Sequence, residues 1–266
     1  MDILLTLKTI IMGLVEGATE FLPISSTGHL VIAGDLLNFL SKEKRDVFEI
    51  IIQLGAILAV CWEYRERLRN TLLHLRDRTS ARGFLVNLAI AFFPAALVGL
   101  MFHREIKTYL FSPITVAYAL IAGGIAILLI EKYMRHGNTV SVEEMTPIQA
   151  LKIGLAQTLS LVPGVSRAGA TILGGIAAGL TRHTATEFSF FLAIPIMFAA
   201  SGFDLVKSRD FLSLADLPLF LIGFATAFLS ALLVIRILIR YVANHDFTAF
   251  AWYRIIFGIA VLVYYW

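Results

Sequence analysis

Two acids, four hydroxyls and an imidazole crowd one apolar stretch of the chain, GLVEGATEFLPISSTGH, Gly13 to His29. Glu16 and Glu20 are four residues apart, so a helix through them places both on one face. The chain then breaks at Pro23 and delivers Ser25, Ser26, Thr27, Gly28 and His29 in succession. A Ser-Ser-Thr-Gly run suits a helix N-cap, where free backbone N–H groups and the positive dipole end attract an anion. His29 follows Ser26 by three positions, on the same helical face, a spacing that allows an imidazole to serve a nucleophilic hydroxyl. A carboxylate pair facing such a helix start is a place to hold a hard divalent cation, Mg or Ca, together with a phosphate.

A second stretch has matching chemistry. PGVSRAGAT, Pro163 to Thr171, offers Gly164 for close backbone approach, hydroxyls at Ser166 and Thr171, and the planar fork of Arg167. An arginine inside an apolar segment costs roughly 3 kcal/mol on insertion scales, which makes a functional role the default. The plainer alternatives stay open at this point. Arg167 can be a structural ion pair with Glu20 that opens when phosphate arrives. Glu16 and Glu20 can be a polar packing contact or a proton-coupling pair. His29 can be a hydrogen-bonded core histidine, and at least one of Ser25, Ser26 and Thr27 serves as a cap.

The elements that must position these groups are membrane spans. Of 266 residues, 58% are hydrophobic and 15% charged, against about half and about a quarter in a soluble domain. The apolar residues come in blocks, so the chain is expected to be an all-α, polytopic membrane protein. The net charge of +3 gives no reason to expect nucleic acid as a partner, because the basic residues concentrate in one loop. Cys61 is alone in an apolar run and is expected to be an inert thiol. The N-terminal MDILLTLKTI lacks a basic n-region and is expected to be retained structure.

Two broken segments, 1–41 hinged at FLPISS and Ile148 to Thr184 broken at VPGVSRAGAT, are too interrupted to span and are expected to be re-entrant hairpins. Six spans are expected: Phe48 to Tyr64, Phe84 to Phe102 with a kink at Pro94, Pro113 to Met134, and about 188–206, 217–240 and 247–266. The Gly123-Gly124 pair suits close helix contact. Arg65, Arg67, Arg69, Arg76, Arg78 and Arg82 make the densest positive loop, which places it in the cytoplasm, and Arg236 and Arg240 agree with that orientation.

Each half is one broken hairpin followed by three spans, giving a single membrane domain of two repeats, 1–134 and 148–266. Three spans per half is odd, so the second repeat is inverted, an arrangement that brings the breaks together near the midplane. GLVEGATEFLPISST set against GLAQTLSLVPGVSRA pairs Gly13 with Gly154, Glu16 with Gln157 and, after a one-residue gap, Pro23 with Pro163 and Ser26 with Ser166.

EGATEFLPISSTGHL together with PGVSRAGAT resembles the bacitracin-resistance type of undecaprenyl-diphosphate phosphatase, and the similarity runs through FEIIIQLGAILAV and the whole chain. The resemblance implies a bacterial inner-membrane hydrolase that takes the terminal phosphate from a polyprenyl diphosphate lipid, needs a divalent cation and opens toward the periplasm. It carries catalytic roles onto Glu16, Glu20, Ser26, His29 and Arg167, with Ser166 and Thr171 in the second motif. A second serine often follows the arginine in that family; here the position is Ala168, which has no hydroxyl to supply. Ser26 is then expected to attack phosphorus, with His29 as base, His29 itself or a water being rival nucleophiles. Ser25, Thr27, Gly28, Gly164, Ser166 and Thr171 are expected to bind substrate, and Glu16 and Glu20 to hold the metal. An inverted-repeat transporter or lipid flippase for an anionic substrate is the alternative from another class, and an intramembrane serine protease would leave the Arg and the Glu pair unexplained. The oligomeric state stays open, a homodimer included.

The orientation is directly testable. In a Cys61→Ala background, a cysteine placed at Arg76 is expected to resist a membrane-impermeant thiol reagent in intact cells and to react once they are permeabilised. Ready labelling from outside would reverse the assignment.

Overall fold

The computed structural model describes residues 2–75, 79–134, 137–208 and 213–266; Arg76, Arg78 and Arg135 lie outside the described residues. Eleven α-helices are named here among them. The first pair is α1 (Ile3–Thr19) and α2 (Ser26–Leu36). Then come α3 (Lys42–Glu63), α4 (Arg65–Leu73), α5 (Thr79–Tyr109) and α6 (Pro113–Tyr133). The second pair is α7 (Pro147–Thr158) and α8 (Arg167–Ala177), followed by α9 (Arg182–Lys207), α10 (Leu217–Val242) and α11 (Thr248–Tyr265). Five of these helices are long and apolar enough to cross a membrane, or six if α3 and α4, bent by 67°, count as one broken span.

Within the two pairs, α2, α7 and α8 are too short to cross. With 11 residues each, α2 and α8 rise about 17 Å, little more than half of a roughly 30 Å hydrocarbon layer. Local chemistry sets their bounds. Asp2 caps α1, while Thr146 and Gln149 form a capping box ahead of Pro147 at the start of α7. Two expectations need correction. Arg65 to Leu73 is helical, because no breaker interrupts it and Glu66 and Arg69 pair across one turn at 2.7 Å. The backbone of α5 leaves helical geometry at Phe102 rather than at Pro94, and the helix resumes to Tyr109.

Packing follows the small residues. α1 and α3 both lie on α10, and α7 on α5; α6 pairs with α11, and α3 also meets α9. At Gly13, a β-carbon would sit 2.7 Å from the Gly223 carbonyl oxygen; at Gly154, 2.6 Å from that of Ala91. Gly123 and Gly124 do mark a close helix contact, with α11, where Gly124 faces the Ala251 carbonyl and Gly258 faces that of Ala117.

The ends of the helices sort into two groups. At one end, Arg67 bridges Glu143 at 2.6 Å and Glu187 at 2.5 Å, and Arg236 meets Glu63 at 2.8 Å. Glu131 there takes both Arg182 and the Phe247 N–H. At the other end, Lys44 pairs with Asp216 at 2.8 Å, and Asp35 holds Arg45 and the Tyr265 hydroxyl at 2.9 and 2.6 Å.

Gly17 offers the sharpest packing test. A β-carbon there would lie 2.3 Å from the Ala227 carbonyl oxygen, whereas at Gly83 it would meet nothing. Gly17→Ala is expected to destabilise by about 1–3 kcal/mol, and Gly83→Ala to be neutral or to stabilise by up to about 1 kcal/mol. Thermal unfolding in detergent reads both, and equal midpoints would refute the close contact.

Candidate active site

Both breaks are built the same way. Ser25, the N-cap of α2, has φ 72° and its hydroxyl accepts the Gly28 N–H at 3.5 Å; Ser166, the N-cap of α8, has φ 74° and accepts the Gly169 N–H at 3.0 Å. A positive φ in a residue with a β-carbon stores strain of order 1–3 kcal/mol, and the surrounding structure must impose it. In cap geometry it is Ser25, not Ser26, that matches Ser166, at the same offset of 141 that separates Gly13 from Gly154 and Glu16 from Gln157, with no gap. By the same register Ser26 corresponds to Arg167.

Those two residues meet at one carboxylate. The Ser26 hydroxyl donates to Glu20 Oε2, and Arg167 Nη2 lies 3.1 Å from Glu20 Oε1. Glu20, Ser26 and Arg167 are all almost buried, with relative exposures of 7% and 9% for the first two. The guanidinium is steered from three further sides. Nη1 donates to the Ser189 carbonyl at 3.2 Å, Nη2 touches Met197 Sδ at 3.3 Å, and the group sits 5.5 Å over the Phe21 ring. Its Nε has no partner, so one donor of the fork remains for a ligand.

Glu16 is also unsatisfied, as are Asn87 Oδ1 and the Gln157 amide among the described residues. Glu16 is 1% exposed, both carboxylate oxygens lack a hydrogen-bond partner, and it lies within electrostatic reach of Glu20, Glu49 and Arg167. A buried carboxylate without a donor is costly, and a cation answers that need directly. Among the described residues no three His, Cys, Asp or Glu come together as a metal-ligand group. The donor set fits a hard cation bound by one or two carboxylates, with phosphate and water completing its shell, as Mg commonly is.

His29 is not engaged with Ser26. Its Nδ1 lies 2.7 Å from the Ser25 carbonyl oxygen and its Nε2 2.6 Å from the Tyr253 hydroxyl. Of the remaining expected substrate contacts, Thr27 sits half-buried in the first turn of α2. Gly28 packs its α-carbon toward Val116 and Leu120 of α6, and Gly164, at φ +94°, lies against the Val116 carbonyl. The Ser166 hydroxyl reaches the Leu22 carbonyl at 3.4 Å. Thr171 is fully buried, its hydroxyl shared between the Arg167 carbonyl at 2.9 Å and Ser189 Oγ at 2.6 Å. Gly28, Gly164 and Thr171 thus shape the breaks and tie α8 to α9.

Sequence reasoning missed Arg254. It is 1% exposed and spends all five guanidinium donors on backbone carbonyls. Nε donates to Leu120, Nη2 to Ala119 and Gly164, and Nη1 to Pro23 and Val165, at 2.9–3.2 Å. One side chain from α11 therefore holds both breaks against α6, in a slot left by Gly123, where a β-carbon would lie 2.0 Å from Nη2. The signal was available: an arginine amid the apolar residues of a span, the same cue that singled out Arg167.

A family model described as bacitracin resistance protein BacA matches residues 9–260. The chain belongs to the BacA family. Curated relatives agree over full length. An undecaprenyl-diphosphatase of Methylobacillus flagellatus is 60% identical, with all of both chains covered. One of Nitrosospira multiformis is 58% identical over 99% of this chain and 96% of its own. An undecaprenyl-diphosphatase 2 of Rhodospirillum rubrum is 56% identical over 100% and 97%. In this BacA-family chain, Arg254→Lys leaves at least two of the five carbonyls without a donor, at about 1 to 3 kcal/mol each. A clear drop in thermal midpoint is expected in detergent; a wild-type midpoint would show that the carbonyls do not depend on the guanidinium.

Proposed function

We propose that this chain hydrolyses undecaprenyl diphosphate to undecaprenyl phosphate and inorganic phosphate, recycling the lipid carrier for cell-wall synthesis and conferring bacitracin resistance. The observation that carries the reading is the single carboxylate, Glu20, held by a serine from one break and an arginine from the other, with the unsatisfied Glu16 beside it. A nucleophile, a phosphate fork and a cation ligand set are the parts phosphoryl transfer requires.

The arriving diphosphate draws Arg167 off Glu20, because a bidentate phosphate contact outcompetes a single contact to a carboxylate. Glu20 Oε2, which accepts the Ser26 hydroxyl, is placed to take its proton as Ser26 Oγ attacks the terminal phosphorus. The bond to the bridging oxygen breaks and undecaprenyl phosphate leaves with that proton. A water that gives its proton to His29 then cleaves the phosphoserine, releasing phosphate and restoring Ser26. Arg167 stabilises charge developing on the equatorial oxygens. Glu16 and Glu20 would hold a divalent cation, Mg or Ca, which would supply Lewis-acid stabilisation of the phosphoryl oxygens.

The domain is read as two inverted repeats, 1–134 and 148–266, whose short helix pairs enter from opposite faces as re-entrant hairpins. The matching strained caps, the equivalent glycine contacts of α1 on α10 and α7 on α5, and the pairing of α6 with α11 and α3 with α9 support this. The arginine-rich end is assigned to the cytoplasm by charge, so that α1 and α2 and their site open toward the periplasm. Paired broken helices also suit a lipid flippase, which phosphate release separates from a hydrolase.

The test is phosphate release from undecaprenyl diphosphate by purified protein. Activity is expected with Mg or Ca and its loss with chelator. Arg167→Lys is expected to lower turnover roughly a hundredfold to a thousandfold while KM moves less. Glu16→Gln is expected to recover part of its lost rate at raised cation concentration. No phosphate release by folded wild-type protein, or full turnover in Arg167→Lys, would overturn the reading.

A further inference from the structure

The proposed reaction leaves one hydrogen bond unexplained: the contact between the His29 imidazole and Tyr253 on α11. A carbonyl oxygen only accepts, so the Ser25 carbonyl 2.7 Å from Nδ1 places the ring proton on Nδ1. Nε2 of the neutral ring is then a lone pair, and the Tyr253 hydroxyl at 2.6 Å donates to it. The ring is oriented as well as bonded. Phe257, one turn beyond Tyr253 on the same face of α11, stacks on His29 at 4.3 Å and 14°, and the Tyr253 ring lies nearly parallel to it at 5.6 Å and 5°.

Neither anchor is free to drift. The Ser25 carbonyl is aimed by the strained φ of 72°, and the residue after Tyr253 is Arg254, whose Nη1 grips the Pro23 carbonyl at 2.9 Å. The helix that supplies the hydroxyl is thus tied to the break that supplies the imidazole. A tyrosine 43% exposed on an apolar helix has a plain explanation as an interfacial aromatic. That explanation requires neither a 2.6 Å bond to a histidine nor ring alignment within 5°.

We propose that Tyr253 is the positioning residue of His29, its hydroxyl holding Nε2 and linking the imidazole to the exposed side of α11. A hydroxyl both donates and accepts, so it serves the neutral ring as donor and the protonated ring as acceptor, without rearrangement of either side chain. His29 changes protonation state against a fixed partner. This rests on the phosphatase reading for its consequence in turnover, although the contact itself is independent of it.

Tyr253→Phe keeps the ring and removes only the hydroxyl. Turnover is expected to fall about tenfold with KM within twofold and the thermal midpoint unchanged. In a His29→Gln background the same substitution is expected to change turnover by less than twofold, because its effect passes through the imidazole. Equal losses in both backgrounds, or no loss in either, would overturn the proposal. A readout without substrate accompanies it: the Nε2 resonance of His29 in nitrogen-15 spectra is expected to shift on Tyr253→Phe while the Nδ1 proton stays. An unmoved Nε2 signal would refute the contact even if every His29→Gln sample were inactive. Failure of wild-type protein to release phosphate would count against the phosphatase reading and leave this spectroscopic result standing.

Discussion

A carboxylate in a membrane-embedded protein interior must be answered by donors or by cations, and in this chain Glu20 is answered from both halves at once. Ser26 reaches it from the start of α2 and Arg167 from the start of α8. Two chain breaks that are 140 residues apart in sequence by the Ser26–Ser166 register, or 141 by the strained caps, are thereby one site. Neither half is complete alone. The first break lacks a cation and the second lacks an acid, and each break exposes backbone that only a polar interior tolerates.

Arg254 solves the complementary problem. Helix breaks leave carbonyls without partners, and water has little access where Arg254 is 1% exposed. Three of the five carbonyls on Arg254 belong to the breaks, at Pro23, Gly164 and Val165; the other two belong to α6. The guanidinium needs space within a tight helix pair, and Gly123 provides it. A chain of requirements follows from one fact, that irregular backbone is buried among apolar helices. The glycines of α1, α6 and α7 permit the approach, the arginine satisfies the carbonyls, and the strained serines turn both helix starts toward the shared acid.

Much of this was legible in the residues. Long apolar blocks gave the spans to within a few positions. Glu16, Glu20, Ser26 and Arg167 stood out because charge and hydroxyl are expensive among apolar neighbours. What escaped was whatever depends on partners distant in sequence. The Ser26 hydroxyl is hydrogen-bonded to Glu20 and not to His29, since helical spacing gives a shared face but not a rotamer. Tyr253 and Ser189 read as ordinary span residues until α11 and α9 are brought beside the breaks. Pro23 and Pro163 look equivalent in sequence, whereas the matching backbone geometry lies in the serine caps that follow, one residue out of that register. Arg65 to Leu73 was taken for a loop on charge alone, although charged residues without a breaker form helices readily.

The central claim is that the two breaks act as one site through Glu20, and a double-mutant cycle across them tests it most directly. Turnover would be measured for Ser26→Ala, Arg167→Lys and the double variant, each on folded protein. If both residues act through the same carboxylate, the double variant retains about the activity of the worse single variant. Losses that multiply, as for independent sites, would contradict the account.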